Sequence, residues 1–340
     1  ALGEEGLEMA GDIGNQIMQE IELTNRQREK WRGDLRRAGI VKHEADLPHV
    51  PIPTSSGVDG SYAIERLLGV DLVGAAAVAV EGLTPPSEAR CWDEPHHKVY
   101  VDREVHNQRT GTILRAIMMG QELQLAADAP HSVVFMDGSL TTPLIHLNQA
   151  LNSLGQCSHL GVSSELRGRA PAYLNAYRTL LAAARTDRTC VAAPKYTSRR
   201  EVGEALGWPP HYDDKAMLTL LLSPSEYSEP TALSQPSEPW HINTDPISGA
   251  DATELHGCVD EILTSVSSLR VIYYRPNRWL PAIRLEVPGA VARTPGRLAN
   301  VMMAAKHQCG AAAIMEPYPL YMADRMVKHL SGVLPTFRHV

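Results

Sequence analysis

Cysteine is scarce in this sequence, and its spacing argues against two common kinds of site. Five cysteines occur in 340 residues, and no two of them form a CxxC pair. A scattered, odd-numbered set indicates neither a zinc site nor a disulfide framework, and is typical of a reducing compartment. Most of the five are therefore expected to be small, buried side chains.

Long hydrophobic runs and nucleotide-binding loops are also missing. No apolar run reaches the length of about 18 residues that a membrane helix needs, and no charged-then-apolar signal pattern opens the sequence. We therefore expect a cytoplasmic protein without membrane association. Because no GxxxxGK[ST] loop is present, the chain is not expected to hydrolyse ATP itself.

Positive charge and aromatic residues are limited as well. The net charge is −7, so binding of nucleic acid over the whole protein surface is not expected. A local basic groove is still compatible with this net charge. Aromatic residues make up 5%, which argues against extensive base stacking. With 44% hydrophobic and 21% charged residues, the chain has an ordinary globular composition, which also suits an enzyme acting on a small molecule.

The hydrophobic pattern predicts an α/β protein. Residues 1–48 form a predicted N-terminal helical segment, with a helix from about Leu7 to Leu35 in which apolar residues recur at every fourth position from Met9 to Ile21, before a strongly charged stretch. Residues 49–340 form the predicted main domain, with a loop insertion over 223–250 that is rich in Pro, Ser and Glu. Predicted strands surround 58–61 and cover 70–80, 98–101, 131–136, 190–193, 269–274 and 282–287; predicted helices cover 104–127, 143–154, 171–184, 296–308 and 320–330.

Two Asp-Gly-Ser tripeptides are the main chemical signal. Asp59 and Asp137 each lie on or after a predicted strand, followed by glycine and serine. A carboxylate held by a sheet beside a glycine lets a metal ion or phosphate approach the backbone, and Mg²⁺ and Mn²⁺ prefer such oxygen ligands. The alternative is that each tripeptide only marks a turn.

Glu122 is the third candidate. It lies in a largely apolar helical segment before the Asp137 strand, where an ionised carboxylate is costly to bury unless it is neutralised. A metal ion would neutralise it. A half-exposed position on the rim of the helix is the alternative.

The order of strand Asp, helix Glu, strand Asp and acidic helix is similar to that of RNase H-like nucleases. More specifically, the chain resembles the NurA family, the nuclease that works with the HerA ATPase. The resemblance spans about residues 50–330 and is carried by Val58-Asp59-Gly60-Ser61, the Glu122 helix, Val133 to Leu140, and the tail from Glu316 to Asp324.

This resemblance implies an RNase H-like mixed β-sheet core flanked by helices, and a site with two Mn²⁺ or Mg²⁺ ions. Asp59, Glu122 and Asp137 would form the carboxylate cage. Asp324 occupies a position near which many family members carry a histidine, so the fourth ligand departs from the family pattern. Tyr318 would orient a phosphate or water, and Lys195 would meet the scissile phosphate.

The implied function is metal-dependent DNA cleavage, as a 5′–3′ exonuclease and single-strand endonuclease. A homodimer would work with a HerA-type hexameric ATPase in DNA-end processing or anti-phage defence. The residues themselves fix neither the polarity nor the metal. Two alternatives are a non-catalytic RNase H-like adaptor that regulates a partner ATPase, and a phosphohydrolase that acts on nucleotides.

DNA contacts are expected from local clusters of arginine, which binds phosphate in bidentate fashion. Each cluster could equally be solvated surface charge. The clusters are Arg167 with Arg169, Arg199 with Arg200, and Arg275 with Arg278.

Overall fold

A computed structural model of the chain describes residues 27–247, 252–312, 314–329 and 332. Within them, ten strands form one mixed sheet in the order β1-β7-β9-β10-β6-β5-β2-β3-β4, with β8 paired to β9. The strands are β1 (Val41–His43), β2 (Ser55–Arg66), β3 (Asp71–Glu81), β4 (His96–Glu104), β5 (Val133–Met136), β6 (Thr189–Ala192), β7 (Glu226–Ser228), β8 (Thr231–Ala232), β9 (Arg270–Tyr274) and β10 (Ile283–Val287).

Helices cover both faces of the sheet. The described part of α1 spans residues 27–37. The others are α2 (Thr110–Asp128), α3 (Thr142–Ser153), α4 (Gly161–Ala182), α5 (Glu201–Ala205), α6 (Asp214–Leu221), α7 (Ala252–Ser267), α8 (Gly289–Ala292), α9 (Pro295–Gln308) and α10 (Tyr318–Val327).

The middle of the sheet has the predicted RNase H-like arrangement. Strands β2, β3 and β4 form an antiparallel meander. On the other side of β2, strand β5 runs parallel to it, and β6 runs parallel to β5. The parallel connections pass through helices, as such crossovers require. The prediction of an RNase H-like mixed sheet flanked by helices is confirmed.

Alternating side chains of the central strands build two hydrophobic layers, because successive residues of a strand point to opposite faces. Val134 and Met136 of β5 join the core formed with α2, α3, α4 and α7. Val133 and Phe135 face the opposite layer, which includes residues of α9 and α10. Strand β5 is therefore buried on both faces, which explains its continuous apolar sequence.

Several element boundaries differ from the predictions. Strand β2 has 12 residues instead of a short stretch around 58–61. Helix α4 begins at Gly161 and continues through Pro171, although proline was expected to open it. Proline removes one hydrogen bond from a helix interior, but apolar residues on both sides of Pro171, such as Leu166 and Leu174, are buried in the core and hold the helix.

The two outer segments also contain more structure than the pattern indicated. The 223–250 stretch, predicted as a loop, holds β7 and β8, which both pair with β9. The 1–48 segment supplies β1, which pairs with β7. These strands have two or three residues, too few for a period to be visible in the sequence. Of the helix predicted from Leu7 to Leu35, residues 7–26 lie outside the described part of the chain.

Cysteine burial and hydropathy complete the description of the fold. Four cysteines are buried, as expected for most of the five, and Cys91 is exposed. All five are free thiols. Among the described residues, no helix combines the length and the apolar character that crossing a bilayer requires.

Candidate metal centre

Strand register brings the two aspartates of the Asp-Gly-Ser tripeptides together. Val58 of β2 lies opposite Met136 of β5 in a parallel pair. Asp59 and Asp137 are the next residues on these two neighbouring strands, and the Asp137 amide still donates to the Val58 carbonyl at 3.3 Å. Because adjacent strands are about 4.8 Å apart, the two carboxylates share one edge of the parallel sheet.

The two glycines of these tripeptides have different roles. Gly138 follows the end of β5 with a φ of 74°, a left-handed conformation that favours glycine, so this tripeptide does form a turn. Gly60 lies inside β2, so the first tripeptide is not a turn. A Cβ at Gly60 would lie 2.4 Å from Glu122 Oε1, so the glycine makes room for that carboxylate.

Glu122 reaches the aspartates from α2. Its side chain is buried, with 5% of the residue exposed, and it lies against the β2 backbone at Gly60. The predicted alternative of a half-exposed position on the helix rim is therefore wrong. Because α2 packs directly on β2 and β3, the inner face of this helix is largely shielded from solvent.

Lys195 and two further carboxylates close the site. Lys195 follows β6, three residues beyond its last residue. Its Nζ lies 3.8 Å from Asp137 Oδ2, 3.3 Å from Glu316 Oε2 and 3.4 Å from Asp324 Oδ1. Asp324 comes from α10 and also pairs with Lys328 at 2.7 Å. We call Asp59, Glu122, Asp137, Glu316 and Asp324 together the acidic cluster.

Burial and mutual repulsion perturb these carboxyls. Burial, reinforced by the charges of Asp137 and Asp324, raises the pKa of Asp59 to about 7. Burial, with the charges of Asp59 and Asp137, raises the pKa of Glu122 well above its usual value. Burial also raises the pKa of Glu316, although Lys195 opposes the rise. These raised pKa values show that the positive charge near the carboxyl groups is too small to offset their burial and mutual repulsion.

Lys195 supplies part of the missing positive charge. Burial by itself lowers the pKa of this lysine, but the charges of Asp137, Glu316 and Asp324 raise it above the ordinary value. The same kind of contact acts on Asp324, whose pKa is lowered despite its burial because Lys328 and Lys195 donate to it. The two lysines face five carboxyl groups, and this excess of oxygen donors fits hard divalent cations.

Tyr318 and Glu316 both lie where the chain enters α10. Tyr318 is the first residue of α10 and is partly buried, and no hydrogen bond joins its hydroxyl to the acidic cluster within the described residues. Glu316 was not predicted as a site residue, although it contacts Lys195 directly. Its position before α10 carries no local pattern that would have identified it.

A buried ion network holds the turn after Asp137. Glu286 of β10 accepts from Ser139 Oγ at 2.6 Å and from the Leu140 amide at 3.0 Å. Arg284 binds Glu286 at 2.9 Å and makes two bonds of 2.9 Å to Glu201. Arg284 and Glu286 alternate with apolar residues in the predicted strand 282–287, and this alternation was the available sequence signal. They fix the backbone that carries Asp137.

Two grooves meet beside the acidic cluster at Tyr196. One of 650 Å³ is lined by Lys195, Lys215 and Glu316 among others. The other, of 630 Å³, is lined by Gly138 and Arg199. Tyr196 borders both and is 93% exposed, so its ring is available to a ligand that runs past the site. The low aromatic content gave no reason to single it out.

The predicted arginine clusters are only partly free for DNA. Arg200 donates to the backbone carbonyls of Trp208 and Tyr212. Arg275 likewise donates to the backbone carbonyl of Thr219, within α6, and to that of Leu222, directly after it. Both guanidinium groups therefore stabilise the fold. Arg199 is exposed on the groove, so it keeps the predicted role as a candidate for phosphate contact.

Comparisons with known proteins show which family and which solved structures this chain resembles. The NurA domain family model matches residues 53–295. The fold is similar to that of the NurA nuclease from Sulfolobus solfataricus, with a TM-score of 0.60 and 13% identity over 94% of this chain and 90% of that one. It is also similar to NurA with manganese, with a TM-score of 0.56 and 14% identity over 97% and 98%.

A structure of NurA bound to dAMP and manganese matches with a TM-score of 0.50 and 13% identity, over 92% of this chain and 93% of that one. No curated protein sequence matches significantly.

Proposed function

The chain belongs to the NurA family, and from this membership we propose that it is a metal-dependent DNA nuclease. The observation that carries the proposal is the convergence of the acidic cluster from four separate segments: Asp137, Glu316 and Asp324 pair with Lys195. The buried Asp59 and Glu122 lie close enough to Asp137 for its charge to raise their pKa values. Relatives of this fold have been solved with manganese and with dAMP and manganese.

Divalent metal ions would be held by Asp59, Glu122, Asp137 and Asp324. The support is chemical: four oxygen donors, two of them buried, with a glycine backbone beside Glu122. When bound, a pair of Mn²⁺ or Mg²⁺ ions supplies an activated water and stabilises the charge on the leaving oxygen of a phosphodiester. The raised pKa values of Asp59 and Glu122 would return toward ordinary values under that charge.

The chain's own residues would orient the phosphate. Lys195, which is positively charged and partly exposed, would donate to a non-bridging oxygen of the scissile phosphate. Lys215 donates to the Lys195 backbone carbonyl and so holds this segment in place. Glu316 would keep Lys195 aimed at the site. Tyr318, at the start of α10, would orient a phosphate or water from the side of that helix.

The DNA path would follow the two grooves. Arg199 and Lys215 provide positive charge on either side of the acidic cluster. Tyr196 would stack on a base of an unpaired strand, because an exposed aromatic ring binds single-stranded bases without sequence preference. Such a path suits the proposed 5′–3′ exonuclease and single-strand endonuclease activities.

The partners are part of the same proposal. The net charge of −7 suits a nuclease that receives DNA from a motor, and a HerA-type hexameric ATPase is the partner we propose, in DNA-end processing or anti-phage defence. A homodimer is supported by edge strand β4, where Val99 and Val101 are 55% and 50% exposed. Two exposed valines on an edge strand, which has free backbone hydrogen-bonding groups on its outer side, offer a site for association, and charged residues such as Lys98 and Arg103 limit it to a specific partner.

The decisive experiment is cleavage of end-labelled single- and double-stranded DNA with Mn²⁺, with and without the ATPase and ATP. We expect Asp137→Asn to reduce cleavage by at least about 10²-fold, since removing even one group that stabilises the charge of a transition state costs about 10²–10³. Asp260→Asn, an exposed position on α7, is the matched control and should leave cleavage unchanged.

A different outcome would favour the adaptor. If the wild-type chain cleaves no DNA and binds no Mn²⁺ at the acidic cluster, yet alters the activity of the ATPase, the nuclease proposal is refuted. Circular dichroism of Asp137→Asn ensures that lost cleavage reflects lost chemistry and not unfolding.

A further inference from the structure

A second group of metal-ligating side chains lies outside the acidic cluster. Glu81 at the end of β3, Cys91 in the loop before β4, and His131 before β5 each offer one ligand atom, and these atoms all lie within 4.8 Å of one another. Nothing in the proposed nuclease chemistry uses them.

His131 is the side chain that most requires an explanation. It is fully buried, and neither ring nitrogen has a hydrogen-bond partner among the described residues. Its Nε2 lies 3.6 Å from Glu81 Oε2, which is longer than a hydrogen bond. A buried imidazole with two unsatisfied nitrogens is costly, and a missing ion is one of the standard reasons for it.

The surroundings hold the ligands in position. Glu81 accepts from the backbone amides of Cys91 at 3.0 Å and Trp92 at 2.8 Å, so the loop is drawn onto the carboxylate. The Trp92 ring packs edge-on against His131, with 4.5 Å between ring centroids, and thus fixes the plane of the imidazole. A metal ligand needs such restraint of its orientation.

We propose that Glu81, Cys91 and His131 bind a zinc ion, with water in the fourth position. Thiolate, imidazole and carboxylate are the three ligand types that Zn²⁺ takes in proteins, whereas the acidic cluster offers only oxygen donors, which suit Mn²⁺ or Mg²⁺. In a tetrahedral site the ligand atoms lie roughly 3.5 Å apart. The trio would need to contract by about 1 Å, and Cys91 is the ligand with room for this, because its side chain is exposed.

The position of this site indicates a structural role. His131 precedes β5 and Asp137 follows it, so the two metal sites lie at opposite ends of one strand. Six residues of extended chain separate them by up to about 20 Å. A zinc ion here would fasten the β3–β4 loop, residues 82–95, to the sheet without touching the acidic cluster. The inference therefore stands independently of the nuclease activity.

Cobalt substitution tests the proposal directly. The full chain, freed of metal and kept reduced, is titrated with Co²⁺, and the thiolate-to-cobalt charge-transfer band is followed. The acidic cluster cannot produce this band because it contains no sulfur. We expect one equivalent of Co²⁺ to develop the band and one equivalent of Zn²⁺ to abolish it.

Variants assign the ligands. Cys91→Ser and His131→Gln should each lose the band and the bound equivalent, whereas His97→Gln, an exposed histidine of β4, should retain both. Because Cys91 is exposed, its replacement leaves the core intact even if His131→Gln fails to fold. Absence of the band in the wild type, or its persistence in Cys91→Ser, overturns the proposal.

Loop protection provides a readout of the structural role. Zn²⁺ should slow proteolysis within residues 82–95 of the wild-type chain by about tenfold or more, and should have no effect on Cys91→Ser. Equal protection of both chains would also refute the assignment.

Discussion

Replacing Asp59 with asparagine should stabilise the metal-free protein while abolishing its metal site. Burial and the neighbouring carboxylates raise the pKa of Asp59 from 3.8 to about 7. Each pKa unit is worth about 1.4 kcal/mol, so ionising this group in the folded, metal-free chain costs about 4 kcal/mol. Asparagine carries no charge, and its side-chain oxygen can still accept the 2.8 Å bond from the Gly60 amide.

The pH dependence gives this prediction its direction. The folded-state pKa of Asp59 lies above the unfolded value, so the folded chain binds the extra proton between pH 3.8 and about 7. Stability is therefore lost as pH rises through this window and is constant above it. Asp59→Asn cannot lose stability in this way. The difference in unfolding free energy between the variant and the wild type should therefore be about 2–3 kcal/mol larger at pH 8 than at pH 5.

Urea unfolding in EDTA at the two pH values measures this advantage. Added Mn²⁺ should narrow the difference at pH 8, because only the wild type gains binding free energy, about 2.7 kcal/mol at 100 times the dissociation constant and about 4.1 kcal/mol at 1,000 times. Asp260→Asn is the control for removal of a charge at an exposed position. If Asp59→Asn is no more stable than the wild type at pH 8 without metal, Asp59 is not the desolvated carboxylate that the structure indicates.

Three further predictions concern the same site. Mn²⁺ affinity, measured by calorimetry, should fall as pH drops below about 7, because the raised pKa values of Asp59 and Glu122 make protons compete with the metal. An affinity that does not change between pH 5 and pH 8 would contradict this prediction. Gly60→Ala should displace the Glu122 carboxylate, weakening Mn²⁺ binding about tenfold and lowering the unfolding free energy by about 1–3 kcal/mol. Gly155→Ala, where no atom lies within 4 Å of the added Cβ, is its control, and equal Mn²⁺ affinity in both variants would refute the steric argument. Tyr196→Ala should weaken binding of single-stranded DNA by about 1–3 kcal/mol in fluorescence anisotropy with Mn²⁺ affinity unchanged, and undiminished binding would exclude stacking on this ring.

The central sheet and its acidic residues were accessible from sequence because their signals are local. Strand β5 has a continuous apolar run, and Asp59 and Asp137 each stand in a tripeptide that is recognisable by itself. Glu122 stood out as a carboxylate among apolar residues. When a strand or helix is buried on one face or on both, its sequence shows a pattern of apolar residues within a few positions. Such a pattern can be recognised without knowing which element packs against it.

Only the tertiary structure could decide the contacts between distant segments. Glu316 contacts Lys195 across more than 100 positions of the chain, and no spacing rule connects them. Glu81, Cys91 and His131 come together although scattered cysteines predicted no zinc site. The short strands β7 and β8 exist because β9 offers free hydrogen-bonding groups. In each case the stabilising partner lies elsewhere in the chain, so the local sequence carries only half of the interaction.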